Sequence, residues 1–207
     1  NTPGWWGGAH PFTLLNWSVV HNGEISSYDA NRRYVEQFGY DCELQTDTEV
    51  ITYLFDLLAR RHGFSQEMAA HIMTASAWDE IDRMEPKRAK FETALRMAYS
   101  SALVNGPFSV ILGSDEGLLA LNDRLKLRAL MVGEKGSMVY LASEQAAIEI
   151  VCPDAQNIRA VDGGVPFVVQ LDEVARRKRT ESSENEPAAQ TRRLHKVDVI
   201  ATKRKEA

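Results

Sequence analysis

Hydrophobic periodicity changes near residue 106, and this change limits the folds that the chain can adopt. Before this point, apolar residues recur at spacings of three and four, as they do along one face of an α-helix. After it, short β-prone runs are separated by glycines, which is typical of strands and turns. Because helical patterns come first and strand patterns second, we expect an α+β fold with a mostly antiparallel sheet.

Helix boundaries can be read from the capping residues. The helix predicted at 28–38 ends at Gly39, a residue type that commonly terminates helices. The sequence TDTE at 46–49 predicts a capping box, in which Thr46 and Glu49 each satisfy a free backbone donor at the helix start. The helix that starts there is predicted to end before Gly63, and two others are predicted at 65–74 and 87–103.

Strands are predicted mainly in the second half of the chain. The first half contains one apolar strand, at 17–20, which we expect to end at an Asn22-Gly23 turn. The runs predicted as strands in the second half are 108–112, 118–121, 128–132, 138–142 and 167–171.

Composition excludes several classes of protein. The chain is 44% hydrophobic and 26% charged, and no apolar run approaches the length of about 18 residues that a membrane helix needs. No signal peptide is recognisable at the N-terminus. The two cysteines, Cys42 and Cys152, form neither a disulfide framework nor a ligand set for a metal or an iron–sulfur cluster. We therefore expect a soluble, cytoplasmic protein with no metal and no cofactor in this chain.

The net charge of −5 hides an asymmetry between the two ends of the chain. Residues 176–207 contain ten Lys or Arg and five Asp or Glu, a balance of +5, so the remainder carries −10. We expect residues 173–207 to form a charged, flexible extension of a single domain at 1–172. No aromatic residue interleaves with these charges, as a stacking surface for nucleic acid requires, so no nucleic-acid partner is expected.

Two polar segments supply residue types that suit hydrolysis of an amino-acid side-chain amide. Such a site needs an anion for the α-ammonium group, donors for an oxyanion and a nucleophile. Asp47 in the first turn of a helix can supply the anion, and Asn22 and Gly23 can supply the donors. Each pattern taken singly is also typical of an ordinary turn or a capped helix. His10 and His21 are, by themselves, more typical of packed histidines.

Several motifs resemble class II glutamine amidotransferases, in the order that the family shows. They are NTPGWWGGAHPF, WSVVHNGEISSYDANRRYVEQFGY and LQTDTEVITYL, and LKLRALMVGEKGSMVYLASEQAAI is similar to a later strand pair of the family. The resemblance is closest to the amidotransferase domain or subunit of glutamate synthase, and it covers residues 1–172. It implies the N-terminal-nucleophile fold, an αββα sandwich of two antiparallel sheets between two helical layers.

The resemblance also implies roles for individual residues. Asn22 and Gly23 match the oxyanion-hole positions, and Asp47 matches the carboxylate that binds the α-ammonium group of glutamine. Thr46 and His10 lie in the matching motifs and are assigned to substrate binding. Glutamine would be hydrolysed to glutamate, and its ammonia would pass to a synthase domain or subunit. Any flavin or iron–sulfur cluster would belong to that partner.

The chain departs from the family at its first residue. The family's nucleophile is a cysteine at the mature N-terminus, whereas residue 1 here is Asn, and neither Cys42 nor Cys152 lies in a matching motif. We therefore expect the chain to lack the segment that carries the first strand or strands and the nucleophile, and to be inactive alone. The alternatives are the amidotransferase subunit of an N-methylglutamate synthase-type enzyme, or a non-catalytic glutamine-binding or assembly module.

Overall fold

The computed structural model describes residues 8–171 and 197–199. Within these residues, two antiparallel sheets are formed, one of six strands in the order β1-β2-β3-β4-β8-β9 and one of three in the order β6-β5-β7. The expectation of mostly antiparallel strands is therefore confirmed. The strands are β1 Phe12–Leu14, β2 Trp17–Gly23, β3 Phe108–Ser114, β4 Gly117–Asn122, β5 Met131–Lys135, β6 Met138–Ala142, β7 Gln156–Ala160, β8 Phe167–Leu171 and β9 Val197–Val199.

Most of the described helices precede β3, as the sequence pattern predicts. The exception is a short helix between β6 and β7. The α-helices are α1 Tyr28–Glu36, α2 Asp47–Phe55, α3 Gln66–Met73, α4 Trp78–Ile81, α5 Pro86–Ala98 and α6 Gln145–Val151. A π-helical turn, Asp56–Arg61, continues α2, and a 3-10 turn, Ser100–Ala102, follows α5.

The second strand is longer than the sequence predicts. It was expected to end at an Asn-Gly turn, but Asn22 and Gly23 are its last two residues. The physical reason is the pairing with β3, whose register continues to Gly23 opposite Phe108. The Asn-Gly pair therefore forms no hairpin turn, and that prediction is wrong.

The start of α2 differs from the predicted capping box in one of its two halves. Thr46 is the N-cap, as predicted, and its hydroxyl oxygen accepts a hydrogen bond from the Thr48 amide at 3.3 Å. The carboxylate of Glu49 instead accepts hydrogen bonds from the amides of Glu43 and Leu44, at 3.2 and 2.9 Å. Glu49 therefore stabilises the loop that enters the helix.

The main hydrophobic core lies between the six-stranded sheet and the helices that follow β2. Val19 and Leu112 from the sheet and Ile51 and Phe55 from α2 are all completely buried. Seven of the nine residues of α2 are buried, so this helix is enclosed on most sides and its N-terminus is fixed in position. A smaller core cluster contains Ala120, Leu130, Val132 and Val161.

Some expectations reach beyond the described residues. The proposed extension at 173–207 lies outside them apart from β9, which pairs with β8. The four-layer order of the sandwich and the absence of its first strand or strands stay predictions. Among the described helices, none is long and apolar enough to cross a membrane.

Candidate active site

The carboxylate of Asp47 joins the start of α2 to the end of β2. Its Oδ1 atom lies 3.2 Å from Nδ1 of His21, and its Oδ2 atom accepts a hydrogen bond from the Ile25 amide at 3.3 Å. His21 and Ile25 flank the segment that contains Asn22 and Gly23. The structure therefore brings together the two polar segments that are separated by about 25 residues in the sequence.

Thr48 connects His10 to His21, the histidine that contacts this carboxylate. Its hydroxyl oxygen lies 2.9 Å from Nε2 of His10 and 3.4 Å from Nδ1 of His21. His10 comes from the segment before β1, His21 from β2, and Thr48 from the first turn of α2. We call His10, His21, Asp47 and Thr48 the Asp47 cluster.

The environment of the Asp47 cluster favours a charged carboxylate. Burial alone would raise the pKa of Asp47, but the hydrogen bond and charge of His21, with the Ile25 amide, lower that pKa below its ordinary value. The carboxyl is therefore ionised at neutral pH. Since a carboxylate only accepts hydrogen bonds, Nδ1 of His21 donates to it in the tautomer that carries the proton on that nitrogen.

The environment of His10 favours its neutral form, whereas that of Asp47 favours the charged form. Burial lowers the pKa of His10 below its ordinary value of 6.5, the charge of His21 lowers it further, and Asp47 partly opposes both effects. The imidazole of His10 is therefore neutral at pH 7. Its Nε2 can then accept a hydrogen bond from the hydroxyl of Thr48, and Nδ1 of His21 lies within 3.4 Å of both the Thr48 hydroxyl and the Asp47 carboxylate.

Asn22 lies on the other face of β2. Successive side chains of a strand point to opposite faces, so Asn22 faces away from His21, and it is exposed. No hydrogen bond joins the Asn22 side chain to Asp47 within the described part of the chain. The Asn22 side chain and the Asp47 carboxylate therefore lie on opposite faces of the end of β2, with the backbone of residues 22 and 23 between them.

The amide of Gly23 points away from β3. The amide of the next residue, Glu24, donates a hydrogen bond to the Pro107 carbonyl at 3.0 Å. Because the hydrogen-bonding direction alternates along an antiparallel strand, the Gly23 amide faces the opposite edge of β2. The neighbour on that edge, β1, pairs only with Trp17–Val19, so it does not cover Gly23.

Close packing explains why position 23 is a glycine. Its φ angle is +136°, and a Cβ atom on it would lie 2.0 Å from the carbonyl oxygen of Pro107. Any side chain would therefore displace the strand end on which the candidate oxyanion donors lie.

Sequence reasoning found part of this site. Asp47 and His10 fall in the Asp47 cluster, and Thr46 caps the helix that carries it. It missed Thr48, and it favoured a packing role for His21. The side chain of His21 is indeed only 2% exposed, but it also contacts Asp47. The available signal was strand alternation, which places the residue before Asn22 on the inner face.

The two cysteines lie outside the Asp47 cluster. Both are buried, and burial together with the charge of Glu49 raises the pKa of Cys42 to about 12. A thiol with such a pKa is protonated at neutral pH and is a poor nucleophile. Across residues 8–171 and 197–199, no group of three or more His, Cys, Asp or Glu side chains is arranged to hold a metal ion.

Comparisons with known proteins place these features in context. No family model matches the chain. An uncharacterized protein of Archaeoglobus fulgidus is 49% identical over 171 residues, which are 83% of this chain and 45% of that protein. A glutamine–fructose-6-phosphate aminotransferase of Aliivibrio fischeri is 30% identical over 148 residues, 68% of this chain and 22% of that enzyme. The chain thus spans less than half the length of these curated relatives.

A solved structure shows the same fold. The glutamine phosphoribosylpyrophosphate amidotransferase of B. subtilis, complexed with ADP and GMP, matches with a TM-score of 0.56 and 19% sequence identity. The match covers 80% of this chain and 30% of that one. Together with the sequence relatives, it shows that the chain has the fold of class II glutamine amidotransferases.

Proposed function

We propose that this chain, which has the class II glutamine amidotransferase fold, binds glutamine at the end of β2 and supports its hydrolysis to glutamate and ammonia. The observation that carries this proposal is the double contact of the Asp47 carboxylate with His21 and with the Ile25 amide. These contacts hold a negative charge beside the strand end that carries Asn22 and Gly23.

In this proposal, Asp47 binds the α-ammonium group of glutamine. An ionised carboxylate offers about four lone-pair positions, and His21 and Ile25 use two of them. The side chain of Asp47 is only 10% exposed, so water screens its charge less than it would at an open surface. His10 and Thr46 support substrate binding indirectly, since one contacts Thr48 and the other caps α2.

Asn22 and Gly23 are the proposed oxyanion donors. When a nucleophile attacks the side-chain carbonyl of glutamine, the carbonyl oxygen becomes an oxyanion; the C–N bond then breaks and releases ammonia, and water releases glutamate from the acyl enzyme. The exposed amide of Asn22 and the Gly23 amide, which faces the edge that β1 leaves uncovered, are suited to donate to that oxygen.

We infer that the nucleophile is none of the cysteines in these 207 residues. Cys42 is buried with a strongly raised pKa, and Cys152 is buried beside Asp154. The resemblance to the family implies an N-terminal cysteine instead. It also implies an ammonia acceptor of the glutamate synthase type, carried by a synthase domain or subunit. The names of the glutamine–fructose-6-phosphate aminotransferase and of the glutamine phosphoribosylpyrophosphate amidotransferase give different acceptors, so these comparisons support the hydrolysis of glutamine more directly than any particular acceptor.

Glutamine affinity tests the proposal. It should be measured calorimetrically in the protein that contains this chain, with any N-terminal cysteine replaced by alanine to prevent turnover. Losing a charge-assisted hydrogen bond of about 1.5–3 kcal/mol should weaken the affinity of Asp47→Asn by roughly 10- to 150-fold. The matched control is Asp29→Asn, which alters an exposed first-turn aspartate of α1. Equal affinity in the two variants would overturn the assignment, and binding without ammonia release by the unmodified protein would indicate a non-catalytic module.

A further inference from the structure

We propose that His21 is a positioning residue that fixes the orientation of the Asp47 carboxylate through its Nδ1–H group, an inference that rests on the proposed role of Asp47. His21 itself is not proposed to touch glutamine. Its side chain is 2% exposed and lies on the opposite face of β2 from Asn22. Its proposed effect on the substrate passes through Asp47, so it should appear in glutamine binding.

The geometry that supports this inference is a two-point attachment. Nδ1 of His21 contacts Oδ1 of Asp47, and the Ile25 amide donates to Oδ2 of the same group. A carboxylate held through only one oxygen can rotate about its Cβ–Cγ bond. Donors on both oxygens fix this rotation, and with it the direction in which the remaining lone pairs can meet an ammonium group.

Both donors belong to the chain segment that carries the candidate oxyanion groups. His21 immediately precedes Asn22, and Ile25 follows two residues after Gly23. The β2–β3 register fixes the position of His21 opposite Val110. A short stretch of backbone therefore sets the distance between the ammonium site and the oxyanion site. His21 holds the Asp47 carboxylate at that distance.

The two ring nitrogens of His21 differ in their contacts. Nε2 is buried and has no hydrogen-bond partner among the residues that the structure describes. A buried polar atom without a partner is unfavourable, and Leu or Phe would fill the same space without one. The contacts of Nδ1 with Asp47 and Thr48 therefore explain why a histidine occupies this position, whereas Nε2 does not.

Two substitutions separate the two edges of the ring. In His21→Asn, the side-chain NH₂ group can occupy a position close to Nδ1 and donate to Asp47. In His21→Gln, the longer side chain carries its NH₂ group toward the position of Nε2. Both variants lose ring packing and should lower the melting temperature, so a purely structural role predicts that they bind glutamine equally well.

The test is glutamine affinity and melting temperature for both variants, alone and combined with Asp47→Asn. We expect His21→Gln to weaken affinity about tenfold, or ~1.4 kcal/mol, and His21→Asn to bind within about threefold of wild type. In the Asp47→Asn background, His21→Gln should cause no further loss, because both changes remove the same interaction. Equal affinities of the two single variants would overturn the inference. If Asp47→Asn alone leaves glutamine affinity unchanged, the proposed role of Asp47 is wrong. The role of His21, which depends on Asp47, is then wrong as well.

The protonation of His21 can also be measured in the wild-type protein, which tests the inference even if a variant does not fold. Nitrogen-15 NMR of the labelled imidazole reports which ring nitrogens carry protons. We expect a proton on Nδ1 of His21, scalar-coupled or shifted by its hydrogen bond to Asp47. A ring with a bare Nδ1 and a proton on Nε2 could not donate to the carboxylate and would contradict the inference.

Discussion

The carbonyl oxygen of Pro107 fills the space in which a side chain on Gly23 would begin, since a Cβ atom there would lie 2.0 Å from it. This approach joins the end of β2 to the segment before β3 and fixes where the Gly23 amide lies. The oxyanion half of the candidate site is therefore built from backbone packing as much as from polar side chains.

Gly23→Ala should be strongly destabilising, by more than about 3 kcal/mol, because a backbone clash and an unfavourable φ angle act together. Gly39→Ala is the matched control: its φ angle is +80°, but no atom in the described part of the chain lies within 4 Å of the added Cβ. Because no described residue meets that Cβ, Gly39→Ala should cost only the conformational penalty of about 1–2 kcal/mol. Urea unfolding measures both, and a Gly23→Ala variant as stable as Gly39→Ala would show that the strand end can move freely.

Asn22→Ala should lower kcat for glutamine hydrolysis by about 10²–10³-fold, the usual cost of losing one oxyanion donor. KM should change much less, because the oxyanion exists in the transition state and not in bound glutamine. Val20→Ala, an exposed position on the same face of β2, is the control for stability and expression. Steady-state kinetics on the protein that contains this chain decides the matter; an unchanged kcat would leave Asn22 with a structural role.

His10 should make the folded state sensitive to mild acid. The pKa of His10 is lowered below 6.5 by burial and by the charge of His21, so the unfolded chain takes up a proton at a higher pH than the folded one. The stability associated with neutral His10 is complete above pH 6.5 and is lost as the pH falls through the lowered pKa. Unfolding free energies measured between pH 7 and 5 should fall less steeply for His10→Gln than for wild type. Identical slopes would show that His10 titrates alike in both states.

Thr46→Ala should separate capping from binding. It removes the hydroxyl that accepts from the Thr48 amide, and the loss of an N-cap typically costs about 0.5–2 kcal/mol. Glutamine affinity should fall only modestly, since Thr46 acts on Asp47 through the helix start. Thr46→Ser keeps the acceptor and is the control. A Thr46→Ala variant with normal stability and much weaker binding would instead indicate direct contact between Thr46 and the substrate.

The sequence predicts elements well where the signal is local. Strands β6 and β8 have the predicted boundaries, and α3, at Gln66–Met73, lies within one residue of the predicted range 65–74 at each end. The end of β2 could not be found in this way, because it depends on pairing with β3 almost 90 residues later. The same reason applies to Glu49, whose carboxylate contacts a preceding loop that local helix rules do not consider.

In the candidate site, too, some features can be predicted from the sequence and others only from the packed structure. Asp47 and Asn22 can be found from residue type and resemblance, since each carries a group that amide hydrolysis requires. The contacts of Asp47 with His21 and the Ile25 amide could not be predicted, because they arise only when α2 is packed against the strand end. Histidine patterns are ambiguous by themselves, and only the packed structure shows which nitrogen of His21 has a partner.

Two ligands that differ in the α-ammonium group can show whether Asp47 binds that group of glutamine. The affinities of glutamine and Nα-acetylglutamine, which lacks the ammonium group, should be measured for wild type and for Asp47→Asn. We expect wild type to prefer glutamine by about tenfold or more, in line with a charge-assisted hydrogen bond, and Asp47→Asn to lose most of this preference. An equal preference for glutamine in both proteins would show that Asp47 does not bind the ammonium group and that the group is bound elsewhere.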